Sequence, residues 1–462
     1  MKRGKDLFYL CNEKIGGFSR TGFLLTLLLA VILLFAGYHF FYIQSPEVKG
    51  IEAINYLSAD NTIKLTGENI KEIEASIQQG GKTYPLLKDA PDTDNKSYSI
   101  KIKPKDLGMT DGKAAITIKA KAGIMKKVQY DREVIIDTVP PTIDITAAPP
   151  YISPGGSGFC ILKASGEDSV FIQVVDKNNP GNDNTFKAFN ISSDTYPNNA
   201  QAGRKHSAKP SVSTYYVMFP ALYDINEGGV FYAVATDLAG NRSIRALPTR
   251  LKMTRYISSS INIDDSFIKR VVYPLLNETN MADIAGAFKK VNEELRRQSL
   301  NKLIEISKQT EPKILWEGGF LQLKNSKVMA KYGDMRTYLY NRSPISKSVH
   351  LGYDLASLEN APVEAANSGI VRFAGDLSIY GNTVIIDHGL GLMSLYGHLS
   401  TMSVREGQKV SKGEIIANTG ATGLAGGDHL HFGLLIQGYE VSPLYWWDPH
   451  WIKVNITDYF QQ

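Results

Sequence analysis

Cysteine is scarce: the 462 residues hold two, Cys11 and Cys160. Two thiols cannot build a disulfide framework or a Cys-rich zinc ribbon. Nor is there a block of one charge beyond the first residues. Net charge is +5, from 51 Lys+Arg against 46 Asp+Glu, and no basic stripe for nucleic acid emerges. With 43% hydrophobic and 21% charged residues, wholesale disorder and a fibrous architecture are excluded. The length suits roughly two to four domains. Histidine is sparse too, yet His350, His388, His398, His429, His431 and His450 all follow position 349. The chemistry is expected in the C-terminal quarter.

Thr21–Pro46 contains no Asp, Glu, Lys or Arg. As a helix, its core Gly22–Ile43 would span about 30 Å of hydrocarbon. Lys2, Arg3, Lys5, Lys14 and Arg20 precede it, which predicts a cytoplasmic N-terminus and everything after the span outside. A cleaved signal peptide has a shorter apolar core and a small-residue cleavage site, whereas this run ends in Tyr-His-Phe-Phe-Tyr-Ile. The expectation is a cytoplasmic tail over 1–20 and a single transmembrane helix within 21–46. The protein would then be a single-pass protein of the cytoplasmic (inner) membrane.

From 47 to 137 the pattern has period two. Tyr98, Ile100 and Ile102 alternate with Ser and Lys, and Ala114, Ile116, Ile118 and Ala120 with Ala, Thr and Lys. This predicts short antiparallel strands of a β-sandwich. Tandem prolines, Pro140 and Pro141, close it. A second sandwich-like segment covers 138–252, with a long polar loop holding His206. The Asp-Thr-x-Pro-Pro junction and the Asp-x-Ala-Gly-Asn turn ending at Asn241 resemble bacterial immunoglobulin-like repeats. Within the segment 253–314 the period becomes 3.6 from Met281 to about Lys308, with Ile284, Phe288, Val291, Leu295 and Ile306 on one face. That reads as a helical spacer packed on a neighbour; a lid or inhibitory arm over the catalytic groove is the sharper alternative. The fold class is mainly β, ending in an antiparallel β catalytic domain over 315–462.

Within that last domain, His350-Leu-Gly-Tyr-Asp354 looks like strand, where an even separation turns both side chains to one face. His429 and His431 are likewise two apart, while Leu430 and Phe432 turn inward. Two histidines and a carboxylate with a vacant fourth position is a catalytic zinc set. Tyr396-Gly-His398-Leu supplies a histidine that the metal need not use, available for proton transfer or oxyanion stabilisation. Singly each motif is weak. Together, among glycine-rich turns, they predict a metal site.

The stretch from about Gly333 to Pro443 resembles the lysostaphin-type (LytM-like) zinc endopeptidases, which cut the peptide part of bacterial peptidoglycan. The resemblance rests on His350-x-Gly-x-Asp354, Gly381-Asn-Thr-Val-Ile-Ile-Asp-His-Gly389, Tyr396-Gly-His-Leu399, Glu406-Gly-x-x-Val-x-x-Gly413, Thr419-Gly-x-Thr-Gly423 and His429-Leu-His-Phe432. It implies a compact antiparallel β-structure with a narrow groove and one Zn²⁺ held by His350, Asp354 and His431. It also implies His398 and His429 as non-ligand catalytic histidines, with their division of labour open. His388 matches a common family position that is not a ligand and reads as a structural turn residue. The aromatic tail from Tyr445 to Trp451, with His450, reads as packing. Many members have Gly-Pro before His-x-His and Glu after Phe. Here Gly427-Asp428 and Gly433 stand there, leaving substrate subsites open.

The resulting expectation is a membrane-anchored metalloendopeptidase that hydrolyses peptidoglycan stem peptides or crosslinks by zinc-activated water. Its partners would be peptidoglycan and cell-wall or division-machinery proteins, with no nucleic acid. The alternative is a non-catalytic peptidoglycan-binding scaffold or activator of another hydrolase, which would have an empty or distorted site. A surface adhesin would explain the middle of the chain but not the clustered histidines.

Overall fold

The computed structural model describes residues 20–89, 95–123, 126–176, 184–190, 212–278 and 283–461. Cys11, the basic residues before Arg20 and the loop with His206 lie outside them. Arg20–Phe41 forms a 22-residue helix whose apolar side chains, Phe23, Leu24, Leu33 and Leu34 among them, are exposed. The helix stops short of Pro46, whose ring and steric demand on the preceding residue both disfavour helix. The strand Glu47–Lys49 begins directly afterwards. Among the described residues no helix is long and apolar enough to cross a membrane. This corrects the expectation of a transmembrane helix within 21–46, and with it the single-pass inner-membrane placement.

The chain is mainly β and divides into two compact units. One runs to Val139 and includes Leu238–Asn241; the other holds the remaining residues from Pro140. In the first, a five-stranded and a three-stranded sheet share one core. Ile63 pairs with Ile100 in one sheet and Ala75 with Ile118 in the other. Side chains alternate as the period-two pattern requires: Ile100, Ile102, Ile116 and Ile118 are buried while Lys101 and Lys119 face out.

The second unit begins with two four-stranded sheets around Cys160, Leu162, Ile172, Phe219 and Phe231. Cys160 is fully buried, and desolvation pushes its thiol up, so it is a packing residue here. Next come the strand Ser258–Ile263 and the helical turns between Asp265 and Ser307. The strand pairs in parallel with Asp334–Tyr340. The helical turns lay Ile268, Val272, Phe288, Val291, Leu303 and Ile306 onto Ile385, Met393, Leu395 and Leu435 of the C-terminal sheet. That sheet has eight strands. At its centre Leu392–Leu399 lies between Asn382–Gly389 and Leu430–Ile436, and Tyr353–Ala356 flanks the last of these.

Candidate active site

Three strand ends meet at one point. Asp354 on Tyr353–Ala356 pairs directly with His431 on Leu430–Ile436, and His431 pairs with Gly397, the residue before His398. His350 ends Ser343–His350, in a different sheet, opposite Asp334. His350 and Asp354 therefore do not share the face of one strand as their spacing predicts. The strand ends at His350, and through Leu351 and Gly352 the chain crosses from one sheet to the other. Gly352 permits that crossing: a Cβ there would sit 2.5 Å from His431 Cε1 and 2.6 Å from its Nε2.

His350 Nε2 lies 2.9 Å from Asp354 Oδ1 and 3.1 Å from His431 Nδ1, and His431 Nδ1 lies 3.0 Å from the same carboxylate oxygen. Tetrahedral donors at about 2.0–2.2 Å from a zinc ion stand about 3.3 Å apart, close to this triangle. The donor chemistry fits a cation as well. His350 Nδ1 is 3.0 Å from the Lys331 carbonyl, to which it donates. That turns Nε2 to the Asp354 carboxylate oxygen, as the ring atom that would serve a metal. On its other side Asp354 accepts from Arg336 Nη2 at 3.2 Å, and Arg336 Nε reaches Asp334 at 3.2 Å. Burial opposes ionisation of Asp354, but His350, His429 and His431 outweigh it and hold the carboxyl well below its usual range.

His398 stands against His429 and His431, with ring centroids 4.8 and 5.7 Å away. Its Nδ1 donates to the Thr422 carbonyl at 2.8 Å, which leaves Nε2 as the free base atom. Burial and then its two histidine neighbours push it down to about 3, so the ring is neutral. His398 also has φ +63°, a left-handed conformation that costs a side-chain-bearing residue about 1–3 kcal/mol. His429 donates from Nδ1 to the Gly427 carbonyl at 2.8 Å, and its Nε2 is 3.5 Å from Asp354 Oδ1. Burial lowers its proton affinity, but Asp354 prevails and raises it. The pair thus splits into a neutral His398 and a His429 that favours its charged form. All five residues line one cavity of about 130 Å³.

His388 is elsewhere. It is fully buried, with Nδ1 2.7 Å from the Ser368 carbonyl, Nε2 2.8 Å from Ser394 Oγ and its ring on Phe320. In the aromatic tail Trp446 is fully buried and donates to Ser157 Oγ at 3.0 Å. His450 is exposed on the short helix Pro449–Asn455. Motif reasoning missed Arg336, which holds Asp354, and Tyr380, whose ring lies 5.5 Å from that of His431. The only signal for Arg336 was a charge two residues from Asp334 in a strand otherwise of Met, Thr, Leu and Tyr.

Residues 348–443 match peptidase family M23. Over 107 residues the chain is 40% identical to the DD-carboxypeptidase/endopeptidase Mpg of Neisseria meningitidis, a match covering 23% of this chain and 25% of that protein. It is 39% identical over 103 residues to the peptidoglycan DD-endopeptidase ShyA of Vibrio cholerae, covering 22% and 24%. It is also 39% identical over 100 residues to the murein hydrolase activator NlpD of Salmonella dublin, covering 21% and 26%. The matched stretch spans about a quarter of the length of these relatives. From His350 to His431 the five converging side chains all fall within it, and the C-terminal region of the chain is a peptidase M23 domain.

Proposed function

We propose that this chain is a zinc metalloendopeptidase that hydrolyses peptide bonds in peptidoglycan stem peptides or crosslinks, with His350, Asp354 and His431 as metal ligands. The observation that carries the reading is the 2.9–3.1 Å triangle of two histidine nitrogens and a carboxylate oxygen, with a neutral histidine base beside it. When bound there, zinc supplies Lewis-acid polarisation of a water and a carbonyl oxygen. His398 Nε2 takes the proton from the attacking water. Its Nδ1–H bond to Thr422 holds the tautomer that makes this possible. His429, held by the Gly427 carbonyl, presents Nε2 to the carbonyl oxygen and offsets the charge that develops there. Arg336 keeps the Asp354 carboxylate oriented. The two-sheet segments before this region are read as immunoglobulin-like domains.

A second reading is a non-catalytic scaffold or activator of another hydrolase; one relative is named a murein hydrolase activator. The intact set of five residues argues against it. Two variants of the full chain test the proposal. His350→Ala should lose the single zinc per chain measured by elemental analysis. His398→Ala should keep that zinc and lose hydrolysis by roughly 100-fold or more. Wild-type turnover in His398→Ala would overturn the assignment of the base.

A further inference from the structure

Arg296 begins the helix Arg296–Ser307, outside the stretch that matches the peptidase family. It lines the cavity that holds the five site residues and also an adjoining cavity of about 310 Å³, whose walls include His350, His431, Tyr380 and Glu440. One edge of its guanidinium is fixed: Nε donates to the Asn292 carbonyl at 3.1 Å and Nη2 to Asn292 Oδ1 at 2.9 Å. Asn292 is itself pinned through Nδ2 to Ser346 Oγ at 2.8 Å. Among the described residues Nη1 makes no hydrogen bond, and Arg296 forms no ion pair. A cation is thus held beside the reacting centre with two of its five N–H donors spent and Nη1 free.

The surroundings favour an anion. The adjoining cavity adds Arg297 and Lys347 against Glu293 and Glu440. Glu440 accepts from the Tyr380 hydroxyl at 2.6 Å; burial pushes its carboxyl up to about 7, and the Tyr380 bond and the nearby charge of Arg296 oppose that rise without forming an ion pair. We infer that Arg296 is a specificity-determining residue that binds a free carboxylate of the peptide substrate, next to the scissile bond. This rests on the reading of the site as a peptidase. A planar fork suits a carboxylate, and a charge-assisted hydrogen bond of this kind is worth roughly 10- to 100-fold in binding.

The test uses the full chain and synthetic crosslinked stem peptides containing a D-alanyl–diaminopimelate bond. In one pair the diaminopimelate carboxyl is free or amidated; in another the terminal D-alanine carboxyl is free or amidated. Wild type should prefer the free acid of one pair by roughly 10- to 100-fold in kcat/KM. The preferred pair identifies which carboxylate is bound. Arg296→Gln should reduce that ratio to near one through KM on the acid, and Arg296→Lys should retain part of it. Equal cleavage of acid and amide in both pairs by wild type overturns the inference alone. Cleavage of none by zinc-loaded wild type overturns the peptidase reading as well. The wild-type ratios decide even if a variant does not fold, and a ratio unchanged in a folded Arg296→Gln protein also overturns the assignment.

Discussion

Gly352 has no side chain, and that absence holds the site together. A methyl group there would push into the His431 ring and, at 2.9 Å, against the Phe432 carbonyl. Gly352→Ala should therefore lower zinc affinity by roughly 10- to 100-fold, the usual penalty for disturbing a ligand's support, as read by competition with a chelating dye. Wild-type affinity in that variant would mean that His431 is not a ligand. His388 makes a different prediction, about stability. Burial pushes it down to about 4, against 6.5 when exposed. Above pH 6.5 both folded and unfolded chains carry it neutral, and its contribution is complete. As pH falls from 6.5 through 4, the unfolded chain takes a proton that the folded core refuses. Stability should then drop by up to about 3 kcal/mol. Denaturation at pH 7 and pH 4 should give a larger loss for wild type than for His388→Gln. Equal losses would show that His388 is not the group responsible.

At the scale of elements, the helical turns between Asp265 and Ser307 bury their apolar face on the C-terminal sheet. Phe288 is fully buried there, with its ring 4.8 Å from Tyr338. Phe288→Ala should cost about 3–5 kcal/mol in chemical denaturation. A loss below about 1 kcal/mol would place the docking of this face elsewhere. The 3.6-residue period made that face legible in the sequence: Phe288, Val291 and Ile306 are all buried. The strand Ser258–Ile263 was not legible. It pairs in parallel with Asp334–Tyr340, more than seventy residues on, and a local pattern holds no information about so distant a partner. The N-terminal run illustrates the opposite difficulty. Composition over 21–46 indicated a span, yet no helix among the described residues is long and apolar enough to cross a membrane.

In the molecule as a whole, the site was legible because five polar side chains stand out against strands whose other residues form a core. How they converge was not. The step from the three-stranded to the eight-stranded sheet at Gly352 and the support from Arg336 and Tyr380 depend on tertiary register. What the whole chain does is tested most directly by incubating purified peptidoglycan with the zinc-loaded full chain, with and without a chelator, and weighing the released fragments by mass spectrometry. The account predicts fragments cut at stem-peptide or crosslink bonds, abolished by the chelator and restored by zinc. Intact peptidoglycan after treatment with protein carrying one zinc per chain would contradict it.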